Sequence, residues 1–275
     1  MKLFKNLLKL VLLLIPVVII YSVFVEPKLL TVQHYQLVSA KQAQMNVKIV
    51  QFTDTQLGQF YSLSQLKTVV TKINAEKPDI IFFTGDLIDS VRKYHDTNKV
   101  VGVLAQLHAV QGKFAIYGNH DYGGGAERYY ADIMKKSGFD LLVNEKAIIK
   151  LADGRHIAIL GLDDVMLGDP QPQILMREIN RNDYNILLLH EPDYIDKFNG
   201  SDIRLAFAGH SHGGQIRLPF VGAIVRAPYS VKYNKGFYQV NDGRTTLYVN
   251  SGLGNTRLPF RLMNLPEIAV FNLKL

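Results

Sequence analysis

Apolar residues along this chain fall into short unbroken runs, and in the first half those runs alternate with stretches of helical period. NVKIVQFT (46–53), DIIFFTGDLID (79–89) and GKFAIYGNHD (112–121) read as buried strands that end in polar residues. Between and after them, SLSQLKTVVTKINAEK (62–77), TNKVVGVLAQLHAV (97–110) and GAERYYADIMKKSGF (125–139) carry the helical period; Ser62 or Ser64 supplies the first N-cap and Gly138 the last stop. In the second half the runs crowd together. AIIKL (147–151) and RHIAILGLDD (155–164) pair across the Asp153-Gly154 turn, and YNILLLHEPD (184–193) and IRLAFAGHSHGG (203–214) are again buried strands with polar ends. GFYQV, TTLYVNSG and EIAVFNL close a strand-rich tail, and LLTVQHYQLVSA (29–40) precedes the series as a strand with alternating faces. Strands that alternate with helices and then crowd together predict an α/β protein with more than one sheet.

The first residues follow another pattern. MKLFKNLLK is basic and free of acid, and Leu10–Val25 is uncharged and apolar, ~24 Å of helix at ~1.5 Å per residue. The following SVFVEPK lacks the small residues that a cleaved signal peptide places there. The expectation is an uncleaved, single-pass transmembrane anchor over residues 1–28 and one domain over 29–275. Lysines ahead of the run put that domain on the extracytoplasmic side of a cell membrane.

Charge and composition narrow the chemistry. The net charge is +7, of which Lys2, Lys5 and Lys9 supply three, so the domain itself is mildly basic and has no dense Lys/Arg run for nucleic acid. There is no cysteine, which excludes disulfides and thiolate metal sites. Any metal must be held by oxygen and imidazole.

Such ligands stand where the buried strands end. Asp54 follows IVQFT, with Gln56 two residues on; Asp86 follows IIFFTG; Asn119, His120 and Asp121 follow FAIYG; His190 follows ILLL; His210 and His212 follow LAFAG. In open α/β sheets the functional crevice lies beyond the carboxyl ends of the strands. One such residue would be an ordinary loop residue, but five strands with the same ending predict a single site. Carboxylate, amide and imidazole donors suit Mn²⁺ first, with Fe and Zn²⁺ as alternatives. Two divalent ions ~3.5–4 Å apart clamp a phosphoryl group and activate water, and Asp54, Gln56, Asp86, Asn119, His190, His210 and His212 would supply their ligands. His120 and Asp121 remain for general acid or phosphate-oxygen donor work.

This set of residues resembles the calcineurin-like metallophosphoesterases. The motifs are Asp54-x-Gln56, GDLID, GNHD, His190 and GHSHGG, in order from about 46 to 215. The tail, GHSHGGQIRLP with GLGNTRLPFRLMNLPEIAVFNL, is similar to the membrane-associated branch typified by bacterial YkuE proteins. The resemblance implies a metallophosphoesterase-type two-sheet β-sandwich flanked by helices (α/β/β/α). It implies that Asp54, the residue at 56 and His212 hold a first metal, that Asn119, His190 and His210 hold a second, and that Asp86 bridges. His120, steadied by Asp121, would assist the phosphate. The implied activity is hydrolysis of a phosphodiester or pyrophosphate bond, with a cell-envelope molecule as the substrate that fits the anchor.

The departure is Gln56, where the family usually has His. An amide oxygen is a weaker donor than imidazole for late transition metals, so the first site is expected to fill less tightly and to favour Mn²⁺. The rival from another class is a membrane-tethered scaffold whose catalysis was lost through Gln56; the intact remaining ligands favour an enzyme. GHSHG also spells a nucleophile elbow, but Gly214 and Pro219 follow it and no His occurs after His212, which excludes a serine hydrolase triad.

Overall fold

The structure is a computed structural model that describes residues 2–38, 45–94 and 96–275. The elements in chain order are α1 (Lys2–Ile20), β1 (Thr31–Val38), β2 (Asn46–Phe52), α2 (Leu63–Glu76), β3 (Ile80–Phe83), α3 (Thr97–Leu104), β4 (Gly112–Ala115), α4 (Asn119–Tyr122), α5 (Glu127–Lys136), β5 (Asp140–Leu141) and β6 (Glu145–Lys150). Then come β7 (His156–Gly161), α6 (Pro172–Arg177), β8 (Tyr184–Leu188), β9 (Ile203–Ala208), β10 (Arg217–Leu218), β11 (Gly222–Ala223), β12 (Gly236–Val240), β13 (Thr245–Val249) and β14 (Glu267–Lys274).

Two six-stranded sheets result, ordered β1-β14-β2-β3-β4-β5 and β12-β13-β9-β8-β7-β6. Strands β2 to β5 run parallel in the first, and β7, β8, β9 and β13 run parallel in the second. Antiparallel strands stand at the margins of these parallel blocks, β14 against β2, β6 against β7 and β12 against β13.

The two-residue side-chain period divides the apolar residues among three cores. Ile49, Phe82, Phe114, Phe207, Tyr248 and Phe271 point between the sheets. Val50, Phe52, Ile81 and Phe83 point the other way, onto Leu66, Val69 and Ile73 of α2, Val100 of α3 and Tyr130 of α5. Leu160, Leu187 and Ala206 cover the outer face of the second sheet with Leu175 of α6 and with Ile195 and Phe198 of the 3₁₀ turn Pro192–Phe198. The layers are therefore α/β/β/α. Each fully buried Phe in the middle layer contributes roughly 1.5–3 kcal/mol of transfer free energy.

Several local expectations hold in detail. Ser62 caps α2 in a reciprocal capping box with Gln65, and β6 turns into β7 across Asp153-Gly154. Helix α3 ends at Leu104, earlier than the apolar period suggests, and α6 and the 3₁₀ turn after His190 have no counterpart among the sequence expectations. The end of the LLTVQHYQLVSA run lies outside the described residues.

The N-terminal expectation is corrected. Among the described residues no helix is long and apolar enough to cross a membrane. Helix α1 starts among Lys2, Lys5 and Lys9, and its uncharged part, Leu10–Ile20, reaches only ~16 Å. The remaining apolar residues, Tyr21–Val25, form a π-helical turn, followed by the 3₁₀ turn Glu26–Lys28. Ser22 and Glu26 are buried on the domain: Ser22 O accepts from Arg261 N at 2.8 Å and Glu26 Oε1 from Asn264 N.

Candidate metal centre

The parallel strands end on one side, and the ligand-type residues predicted from the sequence meet there. Asp54 and Gln56 follow β2, Asp86 follows β3, Asn119 opens α4 after β4, His190 follows β8, and His210 and His212 follow β9. The two sheets are stitched at this end. Gln51 Nε2 donates to Ala208 O at 3.1 Å, and His190 Nδ1 donates to Thr84 O at 2.6 Å.

Backbone strain is concentrated here. Asp54 (φ 52°), Gln56 (48°), Asp86 (62°), His210 (64°) and His212 (46°) are all left-handed. Each such residue costs of the order of 1–3 kcal/mol and persists only where the surroundings impose it. Glycine supplies the clearance: a Cβ on Gly118 would collide with Asp86 Oδ1 and with the His190 ring.

The polar contacts fix the orientation of each ligand. Asp54 accepts from Thr53 Oγ1 (2.8 Å) and from His210 N (3.0 Å). Asp86 Oδ1 accepts from His120 N (2.8 Å), and its Oδ2 accepts from Gln56 Nε2 (2.6 Å). His212 Nδ1 donates to Gly254 O (3.0 Å), which leaves Nε2 without a proton, 3.4 Å from Asp54 Oδ1. His190 Nε2 faces Asp86 Oδ2 at 3.4 Å. His210 Nε2 donates to Pro228 O (2.8 Å), and its Nδ1 lies 3.1 Å from the Asn119 side chain.

This arrangement fits a divalent metal. The His212 Nε2 lone pair is aimed at the Asp54 carboxylate, and Gln56 Oε1 is buried with no hydrogen-bond partner among the described residues. Buried polar atoms are rarely left so, and a cation between them satisfies both sides. Ligand atoms of Asp54, Asp86 and His212 lie within 4.8 Å of one another, and so do those of His190, Glu191 and His210.

Charge is distributed unevenly over these groups. Burial pushes Asp54 up to about 7, with the Asp86 carboxylate adding to the rise against the pull of His190. Asp86 is buried too, yet His190 and His120 beside it hold its carboxyl well below the usual range. Burial alone would lower His190, but Asp86 outweighs it and keeps the imidazole well above its ordinary value. His210 and His212 are pushed down by burial to about 4 and about 3, so they stand neutral and ready to ligate.

The Asp54 shift sets a pH dependence. Its folded pKa is raised, so burying the ionised carboxylate costs stability as pH rises from 3.8 towards 7, and a cation offsets that cost. As pH falls through about 7, a proton competes with the cation. Mn²⁺ affinity should therefore fall about tenfold per pH unit below neutrality. The Mn²⁺-induced gain in Tm, read by scanning fluorimetry, is expected to be larger at about pH 8 than at about pH 5.5; an equal gain would remove Asp54 from the ligand set.

Gln56 is 1% exposed and held over Asp86 by its amide. Its left-handed backbone suits His, so Gln56→His should fold normally. Imidazole is the better donor for late metals, so the substitution is expected to raise Zn²⁺ affinity by roughly the 10–100-fold that tuning of a metal shell brings. Isothermal titration with Zn²⁺ measures this, and unchanged affinity would place residue 56 outside the coordination shell.

His120 and Asp121 part company. The His120 ring donates from Nδ1 to Asp89 O at 2.8 Å. The Asp121 carboxylate turns away and accepts from the backbone N–H groups of Gly118 (2.9 Å), Asp86 (2.7 Å) and Leu87 (2.9 Å). Asp121 therefore clamps the two ligand loops together, and the group that steadies His120 is Asp89. Burial works to lower His120, but Asp86, the bond to Asp89 and the Asp89 and Asp121 carboxylates hold it above the ordinary imidazole value.

Two residues of the site escape the sequence motifs. Glu191 is fully buried beside Asp164, and burial drives its carboxyl well above the usual range. The second is Arg261, which lies in the tail similar to YkuE proteins and to which the motifs assign no role. It is fully buried, and its guanidinium donates to the carbonyls of Ser251, Gly252, Gly254 and Asn264 and to Asn255 Oδ1. It fixes the loop whose Gly254 O orients His212. Ser211, in the GHSHG run, accepts from Gly213 N at the start of a 3₁₀ turn, not at the head of an α-helix.

The cleft above these groups has a volume of about 290 Å³. Gln56, Asp86, Asn119, His120, His210 and His212 line its floor, and Ile216, Ile224, Val225, Leu258 and Phe260 its upper walls. Paired sheets with strand-end oxygen and imidazole donors define a metallophosphoesterase. The chain belongs to the calcineurin-like phosphoesterase family, whose sequence pattern matches residues 47–214. It is 46% identical over 227 residues to the metallophosphoesterase YkuE of Bacillus subtilis (strain 168), covering 82% of this chain and 79% of that one. It is 26% identical to the phosphodiesterase YaeI of Escherichia coli (strain K12), covering 92% of each chain. It is also 27% identical to the UDP-2,3-diacylglucosamine pyrophosphatase LpxG of Chlamydia muridarum, covering 82% of each.

Proposed function

We propose that the chain hydrolyses a phosphodiester or pyrophosphate bond in a cell-envelope molecule through a dinuclear metal centre. The observation that carries this reading is two clusters of candidate ligand atoms, one of Asp54, Asp86 and His212 and one containing His190 and His210, with Gln56 Oε1 buried and unpartnered on the side chain that bonds Asp86. Asp54, Gln56 and His212 would hold one ion, Asn119, His190 and His210 the other, and Asp86 would touch both. The weak Gln56 donor favours Mn²⁺ over Fe or Zn²⁺. When bound, the two ions polarise the phosphoryl oxygens and lower the pKa of the attacking water.

The chain's own residues do the rest. Asp121 holds the Asp86 and Asn119 loops in register. The bond from Nδ1 to Asp89 O fixes the His120 ring and leaves Nε2 as its free nitrogen towards the cleft. The surrounding carboxylates raise the His120 pKa against the effect of burial, which favours the form whose Nε2 can donate to a phosphoryl oxygen or to the leaving oxygen.

The named activities of YaeI and LpxG support the bond type. The scaffold reading is the weaker one because Gln56 is the single departure from the ligand set that the resemblance implies, and carboxylate and imidazole atoms still lie close enough together to hold a cation. The test is Mn²⁺-dependent hydrolysis of bis(p-nitrophenyl) phosphate and of a nucleoside diphosphate sugar by the full chain. Turnover of either supports the proposal, and turnover of neither, with phosphomonoesters cleaved instead, would replace it.

A further inference from the structure

The mouth of the cleft is ringed by apolar side chains that no described residue covers. Strands β10 and β11 form a hairpin whose tip stands out of the domain: Phe220 is fully exposed, and Val221 and Val225 are 67% and 70% exposed. Ile224, Leu258 and Met263 are each more than half exposed beside it. The hairpin is held firmly. Arg217 N donates to Leu262 O (2.9 Å), Leu262 N to Gln215 O (3.0 Å) and Ile224 N to Ile216 O (3.1 Å). Met263 lines both the groove under the hairpin and a second groove that reaches Tyr21. Uncovered apolar surface of this extent on one side of a domain marks a contact surface.

Exposed cations flank the collar. Arg226 and Arg257 are exposed, whereas Lys232 is paired with Asp196 and Arg261 is buried beside Glu26 and Glu267. Arg226 lines both the hairpin groove and the catalytic cleft. We propose that this collar docks on an anionic lipid bilayer, with the hairpin tip in the headgroup–acyl boundary and the mouth of the cleft at headgroup level. Protruding aliphatic and aromatic tips with flanking arginines suit a fluid anionic surface, because the tips enter the interface while the guanidinium groups stay at its polar level. A second copy of the chain would set two basic rims face to face. The surface stands apart from the hydrolytic reading, since bilayer contact is measured without turnover.

The chain has no tryptophan, so one introduced indole reports alone. Phe220→Trp in the full chain is mixed with vesicles of phosphatidylcholine and phosphatidylglycerol. The indole emission of this variant is expected to shift to shorter wavelength and to be quenched by brominated acyl chains. Arg226→Gln and Arg257→Gln, each added to it, are expected to weaken this response about fivefold. Val110→Trp, at a position 80% exposed in the loop that leads into β4 and so away from the strand ends that bear the site, is expected not to respond. Both positions are exposed, so neither substitution threatens folding. Binding of the Phe220→Trp chain to vesicles with its emission unchanged would overturn the proposal and leave contact to the N-terminal helix alone. A short-wavelength emission from the same variant in a dimer without lipid would assign the collar to a second copy. Equal response to pure phosphatidylcholine would overturn the anionic preference.

Discussion

Asp86→Ala is expected to leave a folded chain that hydrolyses diesters at least about 10³-fold more slowly, the several kcal/mol that metal-assisted charge stabilisation supplies. The carboxylate accepts from His120 N and Gln56 Nε2 and faces His190 Nε2, so it ties together groups from three of the ligand-bearing loops. Removal should not unfold the domain. Asp86 adds to the raised pKa of both Asp54 and Asp121, each at about 7, so the metal-free protein loses a crowded negative charge along with two hydrogen bonds. The Tm without metal should therefore change little, while bound metal drops. Wild-type turnover in a metal-depleted Asp86→Ala protein would contradict the assignment.

The second large effect concerns stability. Arg261→Ala is expected to cost about 3–5 kcal/mol, the scale for removing one partner from a buried charge network. Four carbonyls and the Asn255 amide oxygen lose their donor at once, and Glu26 and Glu267 lose the nearby positive charge. At about 2–4 °C per kcal/mol for a chain of this size, Tm should fall by roughly 10 °C or more. Arg261→Lys should recover little, because a single ammonium cannot reach five acceptors spread over one loop. Circular dichroism melts decide it, and a Tm within about 2 °C of the parent would make Arg261 a bystander.

The contrast between these two residues shows what the sequence could carry. Asp86 is legible because it ends an apolar strand, and parallel strands bring their ends to one side. The same logic locates Asp54, Asn119, His190, His210 and His212, and the three-core layering follows from two-residue alternation in Ile49/Val50 and Phe82/Phe83. Arg261 is not legible, because its loop has no periodicity and its five acceptors are brought together only by the fold. Adjacency also misleads: Asp121 follows His120 in the chain, but its side chain points at the loop amides while a more distant carbonyl, Asp89 O, takes the ring. The apolar run at the N-terminus reads as one helix, whereas the chain changes to π and 3₁₀ turns at Tyr21, where Ser22 and Glu26 reach the domain. The hairpin β10–β11 is too short to register as alternation at all.

The most direct test of the central claim is the metal content of the full chain after equilibration with Mn²⁺ at about pH 8 and removal of free ion, read by inductively coupled plasma mass spectrometry. About two ions per chain, falling in Asp86→Ala, is the expected result for a dinuclear centre in which Gln56 serves as a working ligand. One ion or none in a folded wild-type chain would contradict it.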